Sequence, residues 1–245
     1  MFKKYWKFFV IFWSVVLVGI IGVFVFFWLI SAGKLGFMPT FEELENPNNR
    51  FASEVYFADG PIMNRYFEKE NRKYIEYREI PQSVIDALIA TEDVRFYDHS
   101  GVDVRGLFRV AKGLLTANTS AGGGSTISQQ LAKMLFPRES DLNVFELAIR
   151  KFREWVIAVR LEKSYTKEEI LTMYLNKYDF LNLAVGISSA ADIYFQVPLD
   201  SLKVEQAAML IGMAKNSSYS NPVRRPELTL NRRNVVLSQM YKYLQ

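Results

Sequence analysis

A long uncharged run near the N-terminus constrains this chain more than any other feature. Residues 8–30, FFVIFWSVVLVGIIGVFVFFWLI, contain no charged side chain. A membrane-spanning helix needs about 20 consecutive apolar residues, whereas the apolar region of a cleaved signal peptide is shorter. The sequence therefore predicts a transmembrane helix over residues 8–30, preceded by a short tail over residues 1–7.

The charges around this run predict its orientation. Lys3, Lys4 and Lys7 precede it, and lysines beside a first spanning helix tend to stay in the cytoplasm. We therefore expect a cytoplasmic N-terminus, with the rest of the chain on the outer, periplasmic or extracellular, side of the cell membrane. Without these three lysines the chain has 27 basic and 26 acidic residues, so its net charge of +4 does not indicate nucleic-acid binding. The chain has no cysteine, which excludes a disulfide framework and a thiolate metal site.

Beyond the apolar run, the pattern divides the chain into three further parts. Residues 31–50 have the composition of a juxtamembrane linker. In residues 51–80, two β-prone runs flank Asp59-Gly60, a hairpin signal, and predict a small β element. From 81 to 245 the apolar residues recur at helical spacing, which predicts a mainly α domain.

The first candidate catalytic residue ends an apolar helical pattern. In PQSVIDALIATED, Ser83 is the expected N-cap, and Glu92 follows Leu88 by four residues and so continues the apolar face. A carboxylate that loses hydration there is suited to proton transfer. On these residues alone, a helix-terminal acid bonded to nearby backbone remains the alternative. His99, the only histidine, equally fits a structural hydrogen bond.

A glycine-rich segment, AGGGSTISQQLAKMLF, provides the second candidate site. Glycines allow the backbone to approach a ligand closely, and the helix that follows offers free N–H groups to an anion. Gln129 and Lys133 are four residues apart and are expected to project together. Amides suit sugar hydroxyls and an ammonium group suits phosphate. A plain capped helix after a flexible loop is the structural alternative.

The third candidate lies in NVFELAIRKFREWVIAVRLE, whose apolar residues predict a central, mostly buried helix. Glu154 follows Arg150 and Lys151 by one turn. An ordinary Arg150–Glu154 ion pair on the helix surface is one interpretation. A site that handles phosphate and proton chemistry is the other.

A basic amphipathic segment lies between the first two candidates. Arg105, Arg109 and Lys112 share one helical face, with apolar residues over much of the rest. Beside a membrane anchor, this pattern predicts contact with anionic head groups or a lipid-linked phosphate. A surface helix with a solvated basic side is the alternative.

Together, these motifs resemble the peptidoglycan glycosyltransferases, the glycan-polymerising domains of class A penicillin-binding proteins and of monofunctional transglycosylases. The resemblance covers residues 51–245. The motifs that carry it, in chain order, are Glu92-Asp93…Phe96…His99…Gly101, Gly124-Ser125-Thr126…Gln129-Gln130…Lys133, Arg150-Lys151…Glu154…Leu161-Glu162 and Ile170-Leu171…Tyr174-Leu175-Asn176…Phe180. It implies a mainly α, lysozyme-like glycosyltransferase domain behind the membrane anchor.

The resemblance implies polymerisation of lipid II into glycan strands. The acceptor 4-hydroxyl attacks with inversion and undecaprenyl pyrophosphate leaves. Glu92 would be the general base, Glu154 the second catalytic acid, and Lys133 and Arg150 would stabilise the leaving pyrophosphate. The implied substrate-binding residues are Ser125, Thr126, Gln129, Gln130, Lys133, Arg150 and Lys151, and the implied supporting residues are Asp93, Phe96 and His99.

The implied partners are lipid II, the growing lipid-linked glycan chain, the membrane and other cell-wall synthesis proteins, and no nucleic acid. The sequence requires no cofactor, and a divalent metal, Mg²⁺ or Mn²⁺, at the pyrophosphate remains an open alternative. Leu181 departs from the family pattern because a glycine is usual there, so we expect a differently built turn.

Two rival functions remain at this point. One is a lysozyme-like lytic enzyme that cleaves glycan with a single glutamate, and the other is a non-catalytic membrane scaffold. The chain is either monofunctional or the N-terminal part of a protein that also carries a transpeptidase, and both interpretations remain open.

Overall fold

The computed structural model describes residues 2–40, 53–56, 62–66, 71–116, 123–135 and 143–245. Its helices and strands follow in the order α1 (Phe2–Ser31), β1 (Ser53–Tyr56), β2 (Ile62–Tyr66), β3 (Asn71–Arg72), α2 (Gln82–Glu92), α3 (Val104–Leu115), α4 (Ile127–Leu135), α5 (Val144–Ser164), α6 (Lys167–Lys177), β4 (Ala184–Val185), α7 (Ile187–Phe195), α8 (Val204–Met213) and α9 (Pro226–Tyr243).

Helix α1 contains the predicted membrane span. Its segment from Tyr5 to Ser31 is long and apolar enough to cross a membrane, and the most apolar stretch is not buried against the rest of the protein. Side chains such as Phe8, Val18 and Phe24 are exposed. An apolar helix surface without a protein partner is suited to contact with lipid.

The small β element is present and is joined to the helical domain. Strands β1 and β2 pair antiparallel, and the turn predicted at Asp59-Gly60 lies outside the described residues. Strand β3 pairs parallel with β4. The Asn176 side chain on α6 also exchanges two hydrogen bonds with the backbone of Ile75, at 2.9 and 3.0 Å. The Asn176 amide thus makes the pair of backbone hydrogen bonds that a neighbouring strand would otherwise make.

The helical domain consists of two groups of helices that share one core. Helices α2, α8 and α9 pack against one another, and α4 packs on α5 and α6. Fully buried residues of both groups, among them Leu88, Leu131, Ile170 and Leu210, belong to a single apolar cluster. The C-terminal end of α2 meets α4 where the two groups join. The predicted fold class, mainly α with an N-terminal spanning helix and a small β element, is confirmed.

Two local predictions were wrong in detail. Helix α2 begins at Gln82 with Pro81 as its N-cap, so Ser83 lies inside the first turn and does not cap the helix. Helix α5 is buried only towards its C-terminal half, and Val144 and Phe145 at its start are exposed. The apolar residues of α5 make two different contacts. Phe152 packs against the rings of α1, and the opposite face of α5 packs in the core.

Candidate active site

Glu92 ends helix α2 at the junction of the two helical groups. Its Oε2 atom accepts a hydrogen bond of 2.9 Å from the Gln130 amide of α4. Its Oε1 atom lies 3.6 Å from a guanidinium nitrogen of Arg232 on α9. The Glu92 side chain is only 12% exposed. A largely buried carboxylate is therefore held between two elements that are distant in sequence.

Two clefts meet at Glu92. The arginine cleft, of about 320 Å³, is lined by Glu92, Arg95, Asp103, Arg109, Gly124 and Gln239, among others. The lysine cleft, of about 460 Å³, is lined by Glu92, Ser125, Gln130, Lys133, Tyr178 and Lys215, among others. Glu92 and Ser125 line both clefts. One carboxylate can thus face two ligands, and each cleft carries two cations.

The orientation of the Gln130 amide is set by Tyr174. The tyrosine hydroxyl donates to Gln130 Oε1 at 3.1 Å. Burial, with a further contribution from the nearby Glu92 charge, raises the pKa of Tyr174 well above its ordinary value. The hydroxyl therefore stays protonated and can act as the donor. Because its oxygen is occupied, the Gln130 amide presents its NH₂ group to Glu92.

Asp93 and His99 support the start of α4. Asp93 accepts a hydrogen bond from the Ile127 backbone N–H, the first of that helix, at 3.1 Å. His99 Nε2 lies 3.0 and 3.1 Å from the two Asp93 carboxylate oxygens. Phe96 is fully buried below, with the Lys167 ammonium 4.2 Å from its ring centre. Asp93 therefore lines the arginine cleft, whereas Phe96 and His99 support it from outside the lining of the two clefts.

The glycine-rich segment is fixed from the same side. Thr126 donates to the Gly101 carbonyl oxygen at 2.7 Å and also accepts from the Gln129 N–H at 3.2 Å. Gln129 was expected to contact sugar hydroxyls together with Lys133, but its side chain is fully buried and donates to the Gly101 carbonyl at 3.3 Å. The structure assigns it a structural role, and the amide that reaches the cleft is that of Gln130.

Glu154 is connected to the clefts through Lys151. The Lys151 ammonium lies 2.8 Å from a Glu154 carboxylate oxygen and donates to Ser125 Oγ at 3.0 Å. Glu154 is 13% exposed and Lys151 is 42% exposed. The ion pair therefore joins α5 to the glycine-rich segment, and it involves Lys151 and not the expected Arg150.

The predicted pyrophosphate contacts are brought together only in part. Lys133 is exposed and lines the lysine cleft, opposite Lys215 from the segment after α8. Arg150 is half-buried on α5 and is not among the described residues that line the two clefts.

The arginine cleft has its own ion pair. Arg95 donates to Asp103, whose carboxylate also accepts from the Gly106 N–H at 2.9 Å. Burial alone would raise the pKa of Asp103, but the bonds from Arg95 and Gly106 hold that pKa below its usual value. The pair stays ionised near neutral pH and fixes one wall of the cleft.

Comparison with known proteins identifies the family. The Transglycosylase family profile matches residues 59–241, three quarters of the chain. The chain belongs to this family. The predictions of a peptidoglycan glycosyltransferase and of an enzyme of this class are thereby confirmed at the level of the family.

Relatives of this transglycosylase include two full-length proteins named penicillin-binding protein 1A. The one from Escherichia coli K12 is 38% identical over 203 residues, 83% of this chain and 23% of the relative. The one from Pseudomonas aeruginosa PAO1 is 37% identical over 205 residues, 84% of this chain and 24% of the relative. The chain thus spans about a quarter of the length of these relatives. A crystal structure of penicillin-binding protein 1A from Haemophilus influenzae aligns with 22% identity and a TM-score of 0.42, covering 81% of this chain and 19% of that one.

The carboxylates in the described part of this transglycosylase do not by themselves form a metal site. Among the described residues, no group of three or more His, Asp or Glu side chains could hold an ion. The Glu154 carboxylate is paired with the Lys151 ammonium. A divalent metal at the pyrophosphate remains a proposal, and no step below depends on it.

The sequence motifs did not identify several residues that lie at the site. Tyr174 and Glu162 were part of the quoted motifs without a role, although Glu162 accepts bonds from Ser128 and Lys167 beneath α4. Lys215 and Arg232 lie in the last third of the chain. Both lie beyond Phe180, the last residue of the motifs quoted from the sequence.

Proposed function

We propose that this transglycosylase polymerises lipid II into glycan strands on the outer side of the membrane and releases undecaprenyl pyrophosphate. The observation that carries the proposal is the Glu92 carboxylate, the acidic side chain that lines both clefts. Polymerisation needs a donor and an acceptor, and both carry a pyrophosphate. Basic side chains suited to phosphate line each cleft, the two lysines in one and Arg109 beside the Arg95–Asp103 pair in the other, so two adjoining clefts match that pair of substrates.

In this mechanism Glu92 is the general base. The acceptor 4-hydroxyl gives its proton to the carboxylate, and its oxygen forms the new bond to the donor anomeric carbon. The bond to the pyrophosphate oxygen breaks on the opposite face, so the configuration is inverted. The leaving group takes the bonding electron pair, and the cations of the lysine cleft stabilise its growing charge.

Lys133 and Lys215 accordingly face the donor pyrophosphate, and the arginine cleft receives the acceptor. Glu154 orients Lys151, which holds Ser125 at the boundary of the two clefts. The anchor α1 keeps the domain at the surface where both lipid-linked substrates are embedded. The exposed apolar residues Val104 and Phe108 on α3 support contact with the same surface.

Incubation of the detergent-solubilised protein with lipid II tests the proposal. The parent should form glycan strands with inverted linkages, and Glu92→Gln should lower the rate by about 100-fold or more, since the amide cannot accept the proton. Glu205→Gln, an exposed glutamate at the start of α8, is the matched control and should keep the parent rate.

Three results would contradict the proposal. Retained configuration in the product would exclude a direct displacement. Degradation of preformed glycan without synthesis would support the lytic enzyme. A Glu92→Gln protein as active as the parent would remove Glu92 from the reaction, and a parent that neither makes nor cleaves glycan would favour the scaffold.

A further inference from the structure

The two carboxylate oxygens of Glu92 have different environments. Oε2 accepts the 2.9 Å hydrogen bond from Gln130. Oε1 lies 3.6 Å from Arg232, too far for a hydrogen bond but close enough for strong attraction between opposite charges in a largely buried site. Oε1 is therefore the oxygen with free capacity to accept a proton.

Arg232 is itself held in place. Its Nε atom donates to the Gly212 carbonyl oxygen of α8 at 3.3 Å. A Cβ atom at Gly212 would stand 3.1 Å from Arg232 Cγ, so the missing side chain gives the arginine room to pass. The Arg232 side chain is 17% exposed and is not among the described residues lining the two clefts. It therefore acts on a substrate through Glu92.

We propose that Arg232 is the counter-ion and positioning residue of Glu92, holding the carboxylate against Gln130 so that Oε1 takes the acceptor proton. This inference rests on the proposed function. Once Glu92 has accepted the proton, Arg232 has lost its negative partner. The unpaired cation favours release of the proton to solvent, which restores the base for the next sugar.

Of the titratable groups around Glu92, Arg232 supplies the largely buried positive charge. Tyr174 and Tyr178 of α6 face Glu92, and burial raises both pKa values, that of Tyr178 to about 12, so both stay neutral in acid and at neutral pH. The lysines of α4 and of the segment after α8 line the solvent-open cleft, where water screens them. Asp93, the acidic residue next to Glu92, is hydrogen-bonded to the start of α4 and lies against His99.

Three variants test the inference in the lipid II assay. Arg232→Gln should lower kcat about tenfold, equivalent to about 1.4 kcal/mol, with little change in KM, because Arg232 contacts Glu92 and is not among the described residues that line the two clefts. Arg232→Lys should recover most of kcat, because it restores a cation beside Glu92. Arg233→Gln removes the same charge from a neighbour that contacts Asn234, and it should match the parent.

The outcomes separate the two proposals. If Arg232 only holds α9 on α8, Arg232→Gln lowers the thermal midpoint but leaves kcat at the parent value, and the inference is overturned while Glu92 remains the base. A parent without synthesis, or an active Glu92→Gln, overturns the proposed function first and this inference with it. Should Arg232→Gln not fold, Gly212→Ala displaces the arginine without removing it. It should lower kcat by less than tenfold with little change in KM, and an unchanged kcat would again overturn the inference.

Discussion

Leu181, Asn182 and Leu183 adopt the left-handed backbone region in succession, with φ of 65°, 52° and 68°. A residue with a Cβ atom is strained there by about 1–2 kcal/mol, although asparagine tolerates the region. Leu181 itself thus takes the conformation that favours glycine. The turn is held by the Leu181 N–H, which donates to Asp179 at 2.8 Å, and by Tyr194, which donates to the Phe180 carbonyl.

This strain predicts that a glycine at position 183 stabilises the protein. Leu183 is 58% exposed and its side chain loses little on removal. Relief of the left-handed strain exceeds the extra entropy of glycine in the unfolded chain, so Leu183→Gly should raise the free energy of unfolding by about 0.5–1 kcal/mol. Asn182→Gly is the control and should give no gain, since its amide contacts Tyr194. Thermal unfolding in detergent measures both, and a lower midpoint for Leu183→Gly would contradict the argument.

At the scale of elements, Gly101 joins the loop after α2 to α4 and α5. Its φ is 94°, and its carbonyl accepts bonds from Thr126 and Gln129. A Cβ atom here would stand 2.7 Å from a backbone carbon of Ala158 on α5. That contact is with backbone, which cannot move aside cheaply. The position therefore requires glycine for its conformation and for its space.

Gly101→Ala is expected to lower the free energy of unfolding by about 3 kcal/mol, a fall in thermal midpoint of about 6 °C or more. Gly123→Ala is the matched control, because no atom lies within 4 Å of the added methyl group and its stability should equal that of the parent. Equal midpoints for the two variants would show that α4 and α5 do not pack as closely around Gly101 as described.

The helices also show which features of the fold and the site could be predicted from the sequence. The apolar spacing before Glu92 and the spacing from Ser125 to Lys133 predict helices and the side chains near their ends, and α2 and α4 agree with this. Periodicity does not tell which distant residue completes a contact. Arg232 meets Glu92, and Asn176 meets Ile75, only because the helices pack. For the same reason the amide that reaches the cleft, that of Gln130, could not be distinguished from Gln129 by spacing alone.

At the scale of the whole molecule, the C-terminal end of the apolar helix α1 is bound to the helix that carries Glu154. Arg160 of α5 donates to the Ser31 carbonyl and hydroxyl at 2.8 and 2.7 Å and to the Pro39 carbonyl at 3.1 Å. The rings of Phe26 and Phe27 pack edge-on against Phe152, with centroids 5.3 and 5.7 Å away. Helix α1 is therefore fixed to the domain that carries the clefts, and we predict that this contact orients the clefts relative to the membrane.

Distances between spin labels test this rigid attachment. The chain has no cysteine, so Val18→Cys on α1 and Glu227→Cys on α9 give two specific labels at exposed positions. In lipid nanodiscs the parent pair should give a narrow distance distribution. Arg160→Ala should broaden it, since two hydrogen bonds to Ser31 at the end of α1 and one to Pro39 are lost, and should slow synthesis from bilayer-embedded lipid II by several-fold. Lys163→Ala removes a charge from the exposed side of the same helix and should leave both readings unchanged. A distribution already broad in the parent would mean that α1 is flexibly connected to the domain. The orientation of the clefts would then have to come from contact between α3 and the membrane surface.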